Sequence, residues 1–301
     1  MKTISKLIVL AGLAIVPLQA FAVLNIFACE PEWGALAKEL GGDKVSVYTA
    51  TTGLQDVHRI EARPSLIARA RSADLLFCTG AELEIGWVPL LLSQSGNDRI
   101  RPGTPGYLEA AQQVARIEVP QRADRSQGDI HPGGNPHIQT DPRNIGRVAE
   151  VLAQRLAQLD PPNAAAYRAQ SAAFSARWRQ ASERWEQAGA KLKDMPVVVY
   201  HRDFSYFIRW MGMREAGSLE PKPGIPPTPA HLAALVEQMQ RAPAKVILYS
   251  AYNDPRAARF LSERTGIPAV MLPFTVGGTE KARDLYTLFD ETIRLLLEAA
   301  K

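Results

Sequence analysis

The stretch LNIFACEPEWGALAKELGGDKVSVYTA, residues 24–50, contains the reading on which the fold turns. Leu24 to Ala28 is an apolar run of strand length, and Pro31 to Leu40 is amphipathic and stops at Gly41-Gly42, as a helix does when a glycine follows its last turn. Val45 to Tyr48 is a second short strand. A helical stretch from Pro64 to Ser72 and a strand from Asp74 to Cys78 follow. Strand, helix, strand, helix, strand predicts a parallel sheet covered by helices.

Outward from this unit, residues 95–136 are rich in Gly, Pro, Asp and Arg and read as loops around one short strand near Ala115 to Val119. Asp141-Pro142 starts a helix that runs to about Leu159. Asp160-Pro161-Pro162 starts a second, from Asn163 to about Lys193, with Trp178 and Trp185 on one face. About 30 residues at 1.5 Å each make a rod of roughly 45 Å, long enough to cross between domains. The alternation then resumes. Val197 to Tyr200, Lys245 to Tyr249 and Pro268 to Leu272 read as strands; Phe204 to Met211, Thr228 to Arg241, Pro255 to Thr265 and Lys281 to Ala300 read as helices. The expected fold class is α/β, with two parallel-sheet lobes joined by one long backbone helix. Its parts are a signal peptide at 1–22, a first lobe at 23–142, a helical linker at 143–194 and a second lobe at 195–301.

Residues 1–22, MKTISKLIVLAGLAIVPLQAFA, carry two lysines, an apolar run and the ending Ala20-Phe21-Ala22, which reads as a secretory signal cleaved before Val23. No cysteine stands at the expected first position, so no lipid anchor is expected, and a periplasmic destination follows. Removing Lys2 and Lys6 leaves 33 basic against 31 acidic side chains, a net charge of +2. With that balance and no basic cluster, nucleic acid is not an expected partner. Cys29 and Cys78 end two apolar runs. They read equally as a disulfide formed in an oxidising compartment or as two buried thiols.

Five histidines carry the chemistry: His58, His131, His137, His201 and His231. His58, His137 and His201 fall between predicted strands or loops and helices, at the carboxyl edge where open α/β sheets bind ligands. No serine or cysteine stands in a nucleophile elbow, and no paired hydrolase acids appear, so an enzyme is not expected. Neutral imidazoles suit a borderline divalent metal. Asp284, opening the last helix, is placed to supply a fourth ligand. The alternatives are loop-bonding histidines and an Asp284 that only stabilises a helix start. His131, Glu30, Glu82 and Glu84 are accessory candidates, as ligands or as partners of histidine N–H groups. His231, at a helix start, reads as structural.

These segments resemble the metal-binding solute-binding proteins of ABC transporters, the zinc and manganese group called cluster A-I, over nearly all of the mature chain. The family's first ligand motif is matched by Asp56-Val57-His58-Arg59-Ile60-Glu61-Ala62-Arg63-Pro64, with Val57 and Ala62 departing from it. The second is matched without change by Asn135-Pro136-His137-Ile138-Gln139-Thr140-Asp141-Pro142. The third resembles His201-Arg202-Asp203-Phe204-Ser205-Tyr206-Phe207. A proline-spaced segment is echoed by Glu220 to Leu232, and a late acid by Asp284. The histidine- and acid-rich loop of zinc importers shrinks here to Asp124 to His131.

The resemblance implies a monomeric periplasmic carrier. It would hold a metal between its lobes, with His58 and His137 from the first and His201 and Asp284 from the second, and deliver it to a membrane permease driven by an ATPase. A periplasmic metal chaperone is a further conceivable partner. Three imidazoles and one carboxylate favour zinc, while a bidentate carboxylate would admit manganese or iron. Two rivals of another class are an exported zinc metalloenzyme and an adhesin with a structural metal.

Overall fold

The structure is a computed structural model that describes residues 23–122 and 128–301. The signal expected at 1–22, and part of the loop expected at Asp124 to His131, lie outside the described residues. The first lobe contains β1 (Leu24–Ala28), α1 (Pro31–Gly41), β2 (Val45–Thr49), α2 (Pro64–Arg71), β3 (Leu75–Cys78), α3 (Val88–Ser95) and β4 (Tyr107–Glu109). Then come α4 (Pro142–Leu159) and α5 (Ala164–Gly189). The second lobe is built from β5 (Pro196–Val199), α6 (Ser205–Trp210), β6 (Arg214–Ser218), α7 (Pro229–Arg241), β7 (Val246–Ser250), α8 (Arg256–Thr265), β8 (Ala269–Leu272) and α9 (Leu285–Ala299).

Both sheets are four-stranded and parallel, ordered β2-β1-β3-β4 and β6-β5-β7-β8. The second sheet thus repeats the strand order of the first. Side chains alternate across each sheet, and both faces are covered. Ile26 and Ala28 of β1, and Val197 and Val199 of β5, enter one large core that also takes in α1, α4, α5 and α9. Phe27 packs with Leu66, Leu76 and Trp87 in a separate outer core. Val198 does the same with Leu235, Ile247 and Ala258 in the second lobe. The inner faces of the two sheets therefore share one continuous apolar interior.

Helix α5 has 26 residues, a rod of about 39 Å, which agrees with the expected connector. Tyr167, Phe174, Trp178, Ala181 and Trp185 form its buried stripe. Trp178 stacks on Phe174 with ring centroids 5.2 Å apart and meets Trp185 edge-on at 5.1 Å. Tyr286 and Phe289 of α9 close the cluster. The indole N–H groups are satisfied: Trp178 donates to the Pro142 carbonyl at 2.7 Å and Trp185 to Asp290 Oδ1 at 2.6 Å.

Several expectations need correction. Ala115 to Val119 forms no strand. Its backbone is tied instead to the loop after it and to the second lobe, with the Ile117 carbonyl accepting from Asn135 N at 2.9 Å and Ile117 N donating to the Tyr206 hydroxyl at 3.2 Å. The edge strand is β4, shortened by the Pro102–Gly106 turn before it. Strand β6, with the sequence REAGS, and helix α3 had no expected counterpart. The last helix starts at Leu285 rather than Lys281. Of the two readings open for Cys29 and Cys78, the disulfide is the one observed, with Cα atoms 4.8 Å apart. Because Trp178 sits where α4, α5 and α9 meet, Trp178→Ala is expected to lower unfolding free energy by about 3–5 kcal/mol in denaturant titrations.

Candidate metal centre

His58 follows β2 in a short 3-10 turn over Val57–Arg59. Asp56 caps that turn and also holds the ring, its Oδ1 accepting from His58 N at 3.0 Å and from Nδ1 at 2.9 Å. His137 follows an Asn-Pro step, where Asn135 Oδ1 accepts from His137 N at 2.9 Å. The chain then turns through Ile138–Thr140 into α4, which Asp141 caps by accepting from Arg143 N. His201 stands two residues beyond β5, and its Nδ1 meets Glu220 Oε2 at 2.7 Å. Glu220 follows β6 and is itself fixed by accepting from Gly224 N at 2.8 Å.

The loop after residue 127 carries His131 across the two lobes. Asp129 N donates to the Pro223 carbonyl at 2.8 Å, and Gly134 N to the His131 carbonyl at 2.9 Å. Gly128 has φ of +94°, and a Cβ there would stand 2.1 Å from the Pro223 oxygen, so this approach admits only glycine. Asn135 completes the crossing: its Nδ2 donates to the Arg202 carbonyl at 2.8 Å, and its carbonyl accepts from the Tyr206 hydroxyl at 2.7 Å.

These segments bring four imidazoles together. Ligand atoms of His58, His137 and His201 lie within 4.8 Å of one another. His137 Nε2 is 3.4 Å from His201 Nε2, and His58 Nε2 is 3.3 Å from His131 Nε2. A carboxylate only accepts, so Asp56 and Glu220 place the ring proton of His58 and His201 on Nδ1 and leave a lone pair on Nε2. For a tetrahedral ion with nitrogen ligands at about 2.05 Å, adjacent nitrogens are about 3.3–3.4 Å apart. The two short separations have that length. Phe274 of the second lobe packs edge-on against His137, with centroids 5.2 Å apart. A cleft of about 580 Å³ opens on His131, His137 and His201.

Electrostatics divide the histidines. Burial, reinforced by the neighbouring His58, His201 and His131, holds His137 well below the usual histidine range. Burial and the same kind of repulsion bring His131 down to about 4, against a hydrogen bond to the Ala81 backbone. Both stay neutral near pH 7. Burial also works against a charge on His201, but the hydrogen bond to Glu220 and the charges of Asp203, Glu220 and Asp56 outweigh it, so His201 titrates above the ordinary value. Asp203 is buried, and its Oδ2 accepts from the Ser250 hydroxyl and, at 2.9 Å, from Tyr252.

Asp284 is not among the residues brought together. It is exposed at the N-cap of α9, with Oδ1 accepting from Thr287 N at 2.7 Å in a capping box. Of the two readings its position allowed, the helix-start role is the one observed, because an extended N-cap residue turns its carboxylate onto the first-turn amides. Glu30 and Glu84 are buried in a separate cluster beside the disulfide, bonded to the Thr79 amide rather than to the histidines. Glu82 is exposed on the rim of a 480 Å³ cleft shared with His58 and His131. His231 N donates to Thr228 Oγ1 at 3.3 Å, and its Nε2 lies 2.8 Å from the Ser218 carbonyl, tying α7 to β6. Asp56 and Glu220 lay inside the quoted motifs, but their role as partners of Nδ1 was not read from them. Asp284→Ala is expected to cost about 1 kcal/mol of stability, as loss of an N-cap does, while leaving metal affinity in a competition titration unchanged.

Comparison with known proteins places this geometry. Residues 26–299 match the family described as "Zinc-uptake complex component A periplasmic". The chain is 24% identical over 269 residues to the metal ABC transporter substrate-binding lipoprotein ScbA of Streptococcus cristatus, covering 87% of this chain and 83% of the relative. Identity and coverage are the same for the manganese ABC transporter substrate-binding lipoprotein scaA of Streptococcus gordonii. Among solved structures, the crystal structure of ZnuA superposes with a TM-score of 0.78 at 21% identity, covering 93% of this chain and 100% of that one. The Mn-bound periplasmic metal binding protein from candidatus liberibacter asiaticus does so with 0.74 at 19% identity, covering 92% and 100%. The match of nearly the whole described chain shows that this protein belongs to the zinc-uptake component A family of metal-binding, substrate-binding proteins of ABC transporters.

Proposed function

We propose that the cargo is zinc, held by the Nε2 atoms of His58, His131, His137 and His201, and that the protein carries it in the periplasm to an ABC permease and its ATPase. In this reading residues 23–142 and 195–301 are the two lobes that contribute ligands, and the segment around 143–194 links them. The observation that carries it is the facing pair of contacts, His137 to His201 and His58 to His131, in which Nε2 atoms stand 3.4 and 3.3 Å apart, with Nδ1 of His58 and of His201 each held by a carboxylate. Two imidazoles that approach Nε2 to Nε2 share either a proton or a cation, and a cation bound there would use both nitrogens as donors. An all-nitrogen donor set suits zinc, whereas manganese favours oxygen. Its relatives include a protein named for manganese, and both zinc and manganese proteins share the fold, so the donor set is what argues the choice.

The two carboxylates on Nδ1 serve the same task. They fix ring orientation and raise the basicity of Nε2, a contribution of about 10–100-fold in affinity at comparable sites. The continuous core between the sheets keeps the fold independent of the ion, as a carrier that must release its cargo requires. Elemental analysis of protein purified without added metal, followed by competition titration, is expected to give one zinc per chain with zinc preferred over manganese. Manganese preference would overturn the assignment. His137→Ala and His131→Ala are each expected to weaken zinc binding by more than the about 10–100-fold expected of Glu220→Gln. Unchanged affinity in His131→Ala would leave a three-histidine site.

The pH dependence has a definite sign. His201 must lose its proton to ligate, and it titrates above the usual histidine value, so affinity should fall already from the alkaline side of pH 6.5. Below that region one displaced proton per ion corresponds to about a tenfold loss per pH unit. His137 and His131, already neutral, add no such slope near pH 7. Calorimetric titration between pH 5.5 and 8 in buffers of differing ionisation enthalpy measures both affinity and proton release. Stripped protein is expected to remain folded and to gain thermal stability on rebinding zinc.

A further inference from the structure

The carboxyl ends of β1 and β3 hold a second concentration of ligating atoms, apart from the histidines. Cys29, Cys78 and Glu84 each present one donor atom within 4.8 Å of the other two, and all three residues are buried. Glu30 joins them. Its Oε2 accepts from Thr79 N and Thr79 Oγ1 at 3.1 Å each, and Glu84 Oε1 accepts from the same amide at 2.8 Å, so the two carboxyl groups meet over one N–H. Glu30 is only 1% exposed, its Oε1 takes no amide or hydroxyl donor among the described residues, and its carboxyl is hydrogen-bonded to that of Glu84. A third buried carboxyl, Glu32, takes the Thr275 hydroxyl. The strongest charges acting on Glu30 are those of Glu84 and Glu32, which have its own sign.

Buried carboxyl groups of one sign are costly unless a proton or cation compensates them. In the disulfide form both sulfurs are bonded to each other, and protons must do so. Burial accordingly raises Glu32 and Glu84 to about 7. In the dithiol form the same pocket would offer two thiolates beside two carboxylates, a donor set that suits zinc and its softer relatives.

We propose that reduction of the Cys29–Cys78 bond opens a second metal site, in which both thiolates, the Glu84 carboxylate and a Glu30 carboxylate oxygen hold a zinc-class dication. The step balances with a dithiol reductant. Two electrons and two protons pass to the Cys29–Cys78 bond, giving two thiols, and the reductant becomes a disulfide. The entering dication then displaces both thiol protons to solvent, its two charges balanced by the two thiolates, and each carboxyl that ligates gives up to solvent the proton it held in the oxidised form.

The test is a cobalt(II) titration of the full chain, oxidised and anaerobically reduced, followed by zinc. Thiolate-to-cobalt charge-transfer absorption in the near ultraviolet is expected only after reduction. It should saturate at one equivalent per chain beyond the cobalt taken by the histidines, disappear when zinc is added, and be absent in the Cys29→Ser, Cys78→Ser double variant. Glu84→Gln is expected to weaken cobalt binding at this site at least tenfold. Cobalt at the histidines gives no thiolate band, so the two sites are read separately. A reduced chain that is folded by circular dichroism yet shows no band would overturn the proposal. So would an undiminished affinity in Glu84→Gln, or loss of the fold on reduction alone.

Discussion

Two hydrogen bonds, from Nδ1 of His58 to Asp56 at 2.9 Å and from Nδ1 of His201 to Glu220 at 2.7 Å, set the character of the whole site. Each takes up the ring proton and leaves Nε2 as an acceptor. Without them His58 and His201 could each turn an N–H toward the centre of the cluster and would no longer offer a lone pair there. The close approach of the rings is set by segments that are each held independently. Asp56 caps its own turn, Glu220 is fixed by the Gly224 amide, and Asn135 ties the His137 segment to the second lobe.

That independence comes from the core. The inner faces of β1 and β5 open into one apolar interior, spanned by α5 and closed by α9, so the lobes are not separate bodies hinged on a flexible linker. A rigid frame of this kind would cost little conformational entropy on binding, because the imidazoles are already in place. The loop that presents His131 rests on Pro223 of the second lobe.

Most of the frame was legible in the sequence, because strands buried on both faces read as apolar runs and helices with glycine stops read as periodic ones. The exceptions have physical causes. REAGS has neither the hydrophobicity nor the alternation of a strand, and β6 exists because it lies at the edge of a sheet already formed by β5 and β7. Ala115 to Val119 looks like a strand, yet its hydrogen bonds go to Asn135 and Tyr206. Local pattern cannot reveal a partner so distant along the chain. At the site, histidines after strand ends were visible as a class. An aspartate at a helix start was not distinguishable from a ligand, since an N-cap and a metal ligand both call for a short carboxylate in extended backbone.

His131 shows how far the support of one imidazole extends. Gly80, Ala81 and Glu82 all have positive φ, a left-handed run that non-glycine residues adopt only under constraint. The constraint is Glu84, whose carboxylate accepts from the Thr79 and Gly80 amides and pins the turn from below. The turn in turn offers its Ala81 backbone to the His131 ring. Glu84 therefore belongs to two systems at once, the disulfide and carboxyl cluster at the ends of β1 and β3 and the backbone that steadies one ring of the histidine cluster. A carboxylate has about four lone-pair positions. Its bonds to two amides leave room for a further partner, so the geometry that steadies His131 does not by itself close the second cluster.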